Sequence, residues 1–313
     1  MLENSPLNSL FGSRYAIVQA GMVWVSGAKL AAAASNAGCL GLIGAGSMKP
    51  DLLKSHIIKA KGLGAKSLGV NIPLLYHGAA EQIQVALDEG IKIFFTSAGS
   101  PKKFTSMLKD KGCVVVHVCS TPEQAIKCES AGCDAVVAEG FEAGGHNGIE
   151  EVTTMVLIPQ VVDAVNIPVI AAGGIGSGRQ IAAALALGAS AVQIGTRFVA
   201  TIESSAHDNF KKKIINSHSG DTKLMMKSLT PVRLMKNNFF TQVQELESKC
   251  ASKEQLQELL GKGRAKLGML DGDMDNGELE IGQVCAQIKD IPSVNQCVLD
   301  LVREYQQALK RLS

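Results

Sequence analysis

The chain has 313 residues, 46% of them hydrophobic and 19% charged, with a formal net charge of +2. That is globular composition with material for a large core, and the charge is too even to steer the chain toward nucleic acid or a membrane surface. No stretch approaches the roughly 20 apolar residues needed to cross a bilayer, and residues 1–11 lack the apolar run of a signal peptide.

The eight cysteines include no CxxC pair, which predicts reduced thiols, a cytoplasmic location and no catalytic metal. In chain order, short apolar runs at 16–19, 40–43, 67–72, 91–96, 114–118, 135–138, 169–172 and 191–194 read as strands. Amphipathic patterns at 28–37, 50–61, 79–89, 101–111, 122–131, 153–165 and 177–187 read as helices between them. Strict alternation argues for parallel β/α units, and eight strands is the number that closes a (β/α)8 TIM barrel. An open doubly wound sheet would carry GxGxxG after its first strand, where this chain has Ala20-Gly21-Met22. Helices ending at Gly38, Gly90, Gly132 and Gly188 carry the expected left-handed cap.

After Ile194 the pattern changes and strands are no longer expected. Residues 209–277 read as a small helical subdomain over the C-terminal face of the barrel, with Met225, Met226 and Met235 in its core. Residues 281–288 and 293–312 read as closing helices. Val298, Leu301, Val302, Tyr305 and Leu309 fall at helical spacing, so the second packs back on the barrel. The barrel is thus assigned to 1–208 and 278–313, and the lid to 209–277.

In such a barrel the chemistry lies where strands end. The sixth strand leads into Glu139-Gly140-Phe141-Glu142-Ala143-Gly144-Gly145-His146-Asn147-Gly148, a glycine-rich loop with one histidine. It reads as a candidate acid or base, or as a tight turn with a surface histidine. The seventh and eighth strands lead into Gly173-Gly174-Ile175-Gly176-Ser177-Gly178 and Gly195-Thr196-Arg197. Those two positions commonly build a phosphate site from backbone N–H groups; the plain reading is glycine turns before helices. Arg197 suits a phosphate or a carboxylate equally. Asn71 is polar within an apolar strand, so it needs a ligand or a backbone partner.

Taken together, five stretches resemble the nitronate monooxygenase (2-nitropropane dioxygenase) family of FMN enzymes, which includes the FMN-dependent type II enoyl-acyl-carrier-protein reductases. They are Gln19-Ala20-Gly21-Met22-Val23-Trp24-Val25, Gly69-Val70-Asn71, Glu139 to His146, Ala171-Ala172-Gly173-Gly174-Ile175 and Gln193-Ile194-Gly195-Thr196-Arg197-Phe198. The resemblance implies FMN with its phosphate at Gly173, Gly174, Gly195 and Thr196. Gly21, Met22, Asn71, Glu139, Gly144 and Gln193 would complete the cofactor pocket, with His146 as the catalytic residue. Many members have Gly-Gly-Met where Ala20-Gly21-Met22 stands, and glutamine at Glu139; the reductase branch resembles this chain there. The leading expectation is oxidation of an alkyl nitronate by dioxygen to a carbonyl compound and nitrite. The alternative is reduction of an acyl-carrier-protein-bound enoyl thioester with NADH or NADPH as reductant. A homodimer is left open; nucleic acid and membrane partners are not expected.

Overall fold

The computed structural model describes residues 2–312; the outermost ends of the barrel assignment, Met1 and Ser313, lie outside the described residues. Eight parallel strands close a barrel: β1 (Ile17–Gln19), β2 (Leu40–Gly44), β3 (Leu68–Pro73), β4 (Ile93–Ser97), β5 (Val114–Cys119), β6 (Ala135–Glu139), β8 (Val169–Ala172) and β9 (Ala191–Ile194). The ring closes where Ile17, Val18 and Gln19 pair with Val192, Gln193 and Ile194. The helices are α1 (Pro6–Phe11), α2 (Ala28–Asn36), α3 (Pro50–Gly62), α4 (Ala79–Asp88), α5 (Thr105–Asp110), α6 (Pro122–Ser130), α7 (Thr154–Ala164), α8 (Gly178–Ala186) and α9 (Thr196–Val199). The expected alternation is present through Ile194. Its runs are apolar because each strand is covered on both faces, by side chains filling the barrel and by the outer helices. Gly38, Gly90, Gly132 and Gly188 all adopt positive φ at the joints.

The N-terminal helix α1 carried no sequence expectation. Ser5 caps it in a reciprocal capping box with Asn8. Leu7 and Phe11 are buried, Ser67 Oγ donates to the Phe11 carbonyl (2.8 Å) and Ser5 Oγ to that of Ser190 (2.6 Å). Ser67 and Ser190 immediately precede β3 and β9, so α1 plugs the N-terminal end of the barrel and leaves the C-terminal end for the site.

Beyond β9, helix α10 (Asp208–Ile215) opens the inserted segment. It continues with strands β10 (Thr222–Met225) and β11 (Val232–Met235) and helices α11 (Asn238–Ser248) and α12 (Lys253–Leu260). The expectation of a strand-free segment is corrected here. β10 and β11 form an antiparallel hairpin, and β7 (Gly145–His146), from the loop after β6, adds to its edge. Met225, Met226, Val232, Leu234, Phe239, Phe240 and Leu256 make a separate small core there, with two of the three expected methionines inside it; the third, Met235, is buried in an adjoining cluster. Residues 281–288 are corrected as well. Only Gln283–Gln287 coil, as a short 3-10 turn, and the rest is an extended strap. Helix α13 (Val294–Leu312) is as expected, with Val298, Leu301 and Tyr305 buried against the barrel. Among the described residues no helix is long and apolar enough to cross a membrane.

Helix-to-sheet contact is close at Gly41, where a Cβ would fall 2.0 Å from the Ala31 carbonyl oxygen of α2. Gly41→Ala should therefore force α2 off the sheet and cost about 1–3 kcal/mol. Gly62, at the end of α3, has open space around its Cβ position, and Gly62→Ala should be neutral or slightly stabilising. Thermal unfolding of the two variants beside wild type checks both; equal midpoints would contradict the packing.

Candidate active site

A cavity of about 1140 Å³ opens at the C-terminal end of the barrel, under the inserted segment. The residues expected to hold the cofactor or act in catalysis all line it: Gly21, Met22, Asn71, Glu139, Gly144, His146, Gly173, Gly174, Gln193, Gly195 and Thr196.

The β1 wall is held by Gln19, whose buried amide faces away from the cavity. It donates to Ser26 Oγ (3.0 Å) and to the Ala20 carbonyl, and accepts from the Leu42 N–H (3.3 Å). Ser26 Oγ in turn accepts from the Met22 N–H (3.0 Å) and donates to the Ala20 carbonyl (2.8 Å). This network fixes the turn that presents Gly21 and Met22. Asn71 Nδ2 donates to the Gly21 carbonyl (3.3 Å), and a Cβ at Gly21 would lie 2.4 Å from Asn71 Cβ, so only glycine permits that approach.

The opposite wall is bare backbone. Gly173 and Gly174 have φ of 84° and 68°, where a side chain would be strained. A Cβ on Gly173 would meet the Gly140 oxygen at 2.6 Å, and one on Gly195 the Met22 sulfur at 3.2 Å. Two other glycines of the same stretch serve packing instead. The Gly176 N–H donates to Gln180 Oε1 (2.9 Å), and Gly178 abuts α13, its N–H donating to Glu304 Oε2 (2.8 Å). Arg197 is buried and turned away: it pairs with Asp290 Oδ1 at 2.9 Å and donates to two carbonyls, so the carboxylate alternative is the one realised.

His146 lies on β7 opposite Val232 and is exposed at the cavity edge. The strap of residues 279–283 lies flush beside it. A Cβ on Gly144 would be 2.4 Å from the Ile281 carbonyl carbon, and one on Gly145 would be 2.5 Å from Glu280 Oε2. The Gly282 N–H donates to Thr196 Oγ1 (3.0 Å) and the Gln283 N–H to the Glu142 carbonyl (3.0 Å), tying strap, α9 and the loop after β6 together.

Three groups on this wall were not singled out from the sequence. Glu142 is anchored by Thr154, whose N–H and Oγ1 both donate to its Oε2 at 2.9 Å. Glu280 reaches the cavity from a segment far along the chain. His117, on β5, is buried with Nδ1 2.6 Å from Thr96 Oγ1 and a second partner in the Gly99 backbone; burial pushes its pKa down to about 4, so it is neutral and ties down the turn after β4. Its signal, a polar residue inside Val-Val-Val-His-Val, is the one that identified Asn71. Loss of water raises the Glu139 carboxyl to about 7. The same cause raises Glu280, and raises Glu278 behind it.

The family model "Nitronate monooxygenase" matches residues 4–83 and 76–304. The chain belongs to the nitronate monooxygenase family. The family's members are FMN-dependent flavoenzymes. FabK from Thermotoga maritima superposes with a TM-score of 0.94 at 39% identity, over 99% of this chain and 98% of that one. A (3aS,4S,5R,7aS)-5-hydroxy-7a-methyl-1-oxo-octahydro-1H-indene-4-carboxyl-CoA dehydrogenase of Mycobacterium tuberculosis is 31% identical over 98% of this chain and 99% of its own length. A probable nitronate monooxygenase of Staphylococcus haemolyticus is 35% identical over 71% of this chain and 75% of its own.

Glu139 makes stability depend on pH with a definite sign. An unfolded glutamate titrates near about 4.3. Folded Glu139 keeps its proton to about 7. Between those values the folded state binds the extra proton, so the stabilisation present at acid pH is lost as pH rises through about 7. Cofactor-free Glu139→Gln should lose less thermal stability than wild type on going from about pH 4 to about pH 8, values that bracket this window. Parallel melting curves for the two proteins would show that Glu139 is ionised in the fold.

Proposed function

We propose that this protein is an FMN-dependent oxidoreductase that reduces the double bond of an enoyl thioester, with NADH or NADPH as reductant. The observation that carries the reading is end-to-end likeness to a relative named for a carboxyl-CoA, a thioester. The stretch from Glu139 to Asn147 also resembles the reductase branch of the family. The cavity, at about 1140 Å³, exceeds the roughly 300–1,000 Å³ of common small-ligand pockets, leaving room for an extended acyl group beside a cofactor. Leu75 and Ile149 line its mouth yet are 76% and 78% exposed, an apolar rim suited to an acyl chain.

The residues fit FMN. Gly173, Gly174, Gly195 and Thr196 form a wall without bulky side chains, where backbone N–H groups would hold the phosphate. Gly21, Met22, Asn71, Glu139, Gly144 and Gln193 line the remaining space for the ring system. When bound, FMN supplies hydride transfer between nicotinamide and substrate. The chain's own contribution is orientation and a proton. Met22 and the strap residues Glu280 and Ile281 line the pocket, and His146 gives a proton to the carbon next to the thioester carbonyl.

Nitronate oxidation is the second reading, favoured by the family model itself. Anaerobic mixing separates the two. The purified protein should release FMN on denaturation, and NADH or NADPH should bleach the flavin, which an enoyl thioester then restores. Bleaching by a nitronate and by neither nicotinamide would overturn the proposal in favour of the second reading. Recovery of FAD would remove the phosphate assignment.

His146→Ala should keep the flavin and lower kcat by about 10²–10⁴-fold, the usual cost of removing a general acid. Steady-state rates normalised to flavin content provide the check. A loss of under about threefold, far below that range, would reduce His146 to a turn residue.

A further inference from the structure

Glu280 has no task in the reading above, yet its position is built. Along β11, Val232, Arg233 and Leu234 pair in succession with His146, Gly145 and Glu280, so Glu280 stands end-on to β7. The Met235 N–H holds the neighbouring Leu279 carbonyl at 2.8 Å. The carboxyl packs on Gly145, where a Cβ would be 2.5 Å from Oε2, and it lines the cavity. His146, one residue further along, acts on it through space and partly offsets the effect of burial. A glycine beside the histidine is what admits a carboxyl at this spot.

We propose that Glu280 is the proton-relay partner of His146, a positioning residue that returns to the imidazole the proton given to substrate. The inference rests on enoyl reduction as the reaction. Hydride forms a C–H bond at the carbon β to the thioester carbonyl, and the electron pair of the double bond moves toward the α-carbon. A ring N–H of His146 breaks as the α C–H forms. The Glu280 O–H then breaks to restore the ring N–H through a bridging water, and the carboxylate regains a proton from solvent at the mouth. Burial, which holds the carboxyl protonated above the usual range, equips it to store that proton. Glu278 on the same segment is buried and Arg264 faces it, which leaves Glu280 as the carboxyl presented to His146.

The test uses Glu280→Gln, which keeps the shape and cannot pass a proton, and Glu280→Asp, which keeps the carboxyl. Infrared difference spectra of wild type minus Glu280→Gln at neutral pH should show a protonated-carboxyl C=O band that shifts in D2O. The kcat of Glu280→Gln should fall at least about tenfold, short of the 10²–10⁴ expected for the donor itself, with KM and flavin content unchanged. Glu280→Asp should recover part of the rate, and formate should restore part of the rate of Glu280→Ala. A missing band, or a kcat within about twofold of wild type, well below any general-acid effect, overturns the proposal. If Glu280→Gln loses its flavin, the rate of Glu280→Ala with and without formate decides, and absence of rescue overturns the proposal. If no enoyl thioester turns over, the functional reading fails separately, and the band still decides whether Glu280 stores a proton.

Discussion

The site depends on backbone laid directly on backbone, where the strap of residues 279–283 meets the loop after β6. A Cβ on Gly144 would fall 2.4 Å from the Ile281 carbonyl carbon, closer than a side chain allows, and one on Gly282 would lie 3.0 Å from the Glu142 oxygen, a tight contact. Gly282 and Gln283 then donate to Thr196 Oγ1 and the Glu142 carbonyl. Those contacts align the strap with β11, and β11 with β7. The position of His146 is thus set by chain far beyond the barrel unit that carries it. A longer side chain at Gly144 would separate the layers and leave the histidine on a loose loop.

The barrel was legible because each β/α unit carries its own signal: an apolar run, an amphipathic run and a glycine cap. Those are local and repeat. The hairpin in the insertion has no such signature. Val232, Arg233, Leu234 and Met235 are all buried, so the strand does not alternate, and Pro231 just before it argues against a strand. Residues 281–288 misled for the opposite reason. Ile281, Val284, Cys285 and Ile288 repeat at i, i+3, i+4 and i+7, a helical pattern. The structure uses those residues to fill the space beneath an extended strap, because the flush contacts at Gly282 are incompatible with a regular helix there.

Much of the candidate site was legible for a topological reason: strand ends converge on one face whatever their separation in sequence. That places Gly21, Asn71, Glu139, Gly173 and Gly195 around one cavity. What a strand-end reading lacks is the role of each glycine. Gly178 looks like its neighbours in sequence but serves α13, and Arg197 looks like an anion ligand but is committed to Asp290. Glu280 was not legible at all. Glu278-Leu279-Glu280-Ile281 reads as an ordinary solvated alternation, and only the pairing with Leu234 turns Glu280 inward.

The electrostatics of the cavity follow from the same arrangement. Arg197 is bound to Asp290, and the Arg233 guanidinium donates to the Phe141 carbonyl while lying 4.4 Å from the Phe141 ring centre. With both arginines engaged elsewhere, an anion at the β8 and β9 ends would be met by neutral backbone N–H dipoles, which carry no counter-charge to be desolvated. Burial raises the Glu139 carboxyl to about 7, and it raises Glu280 as well, against the opposing influence of His146. In the proposed reaction one wall would hold phosphate without lysine or arginine, while the other would supply protons. A reaction that consumes one proton per turnover needs the second wall; a reaction that only moves electrons does not.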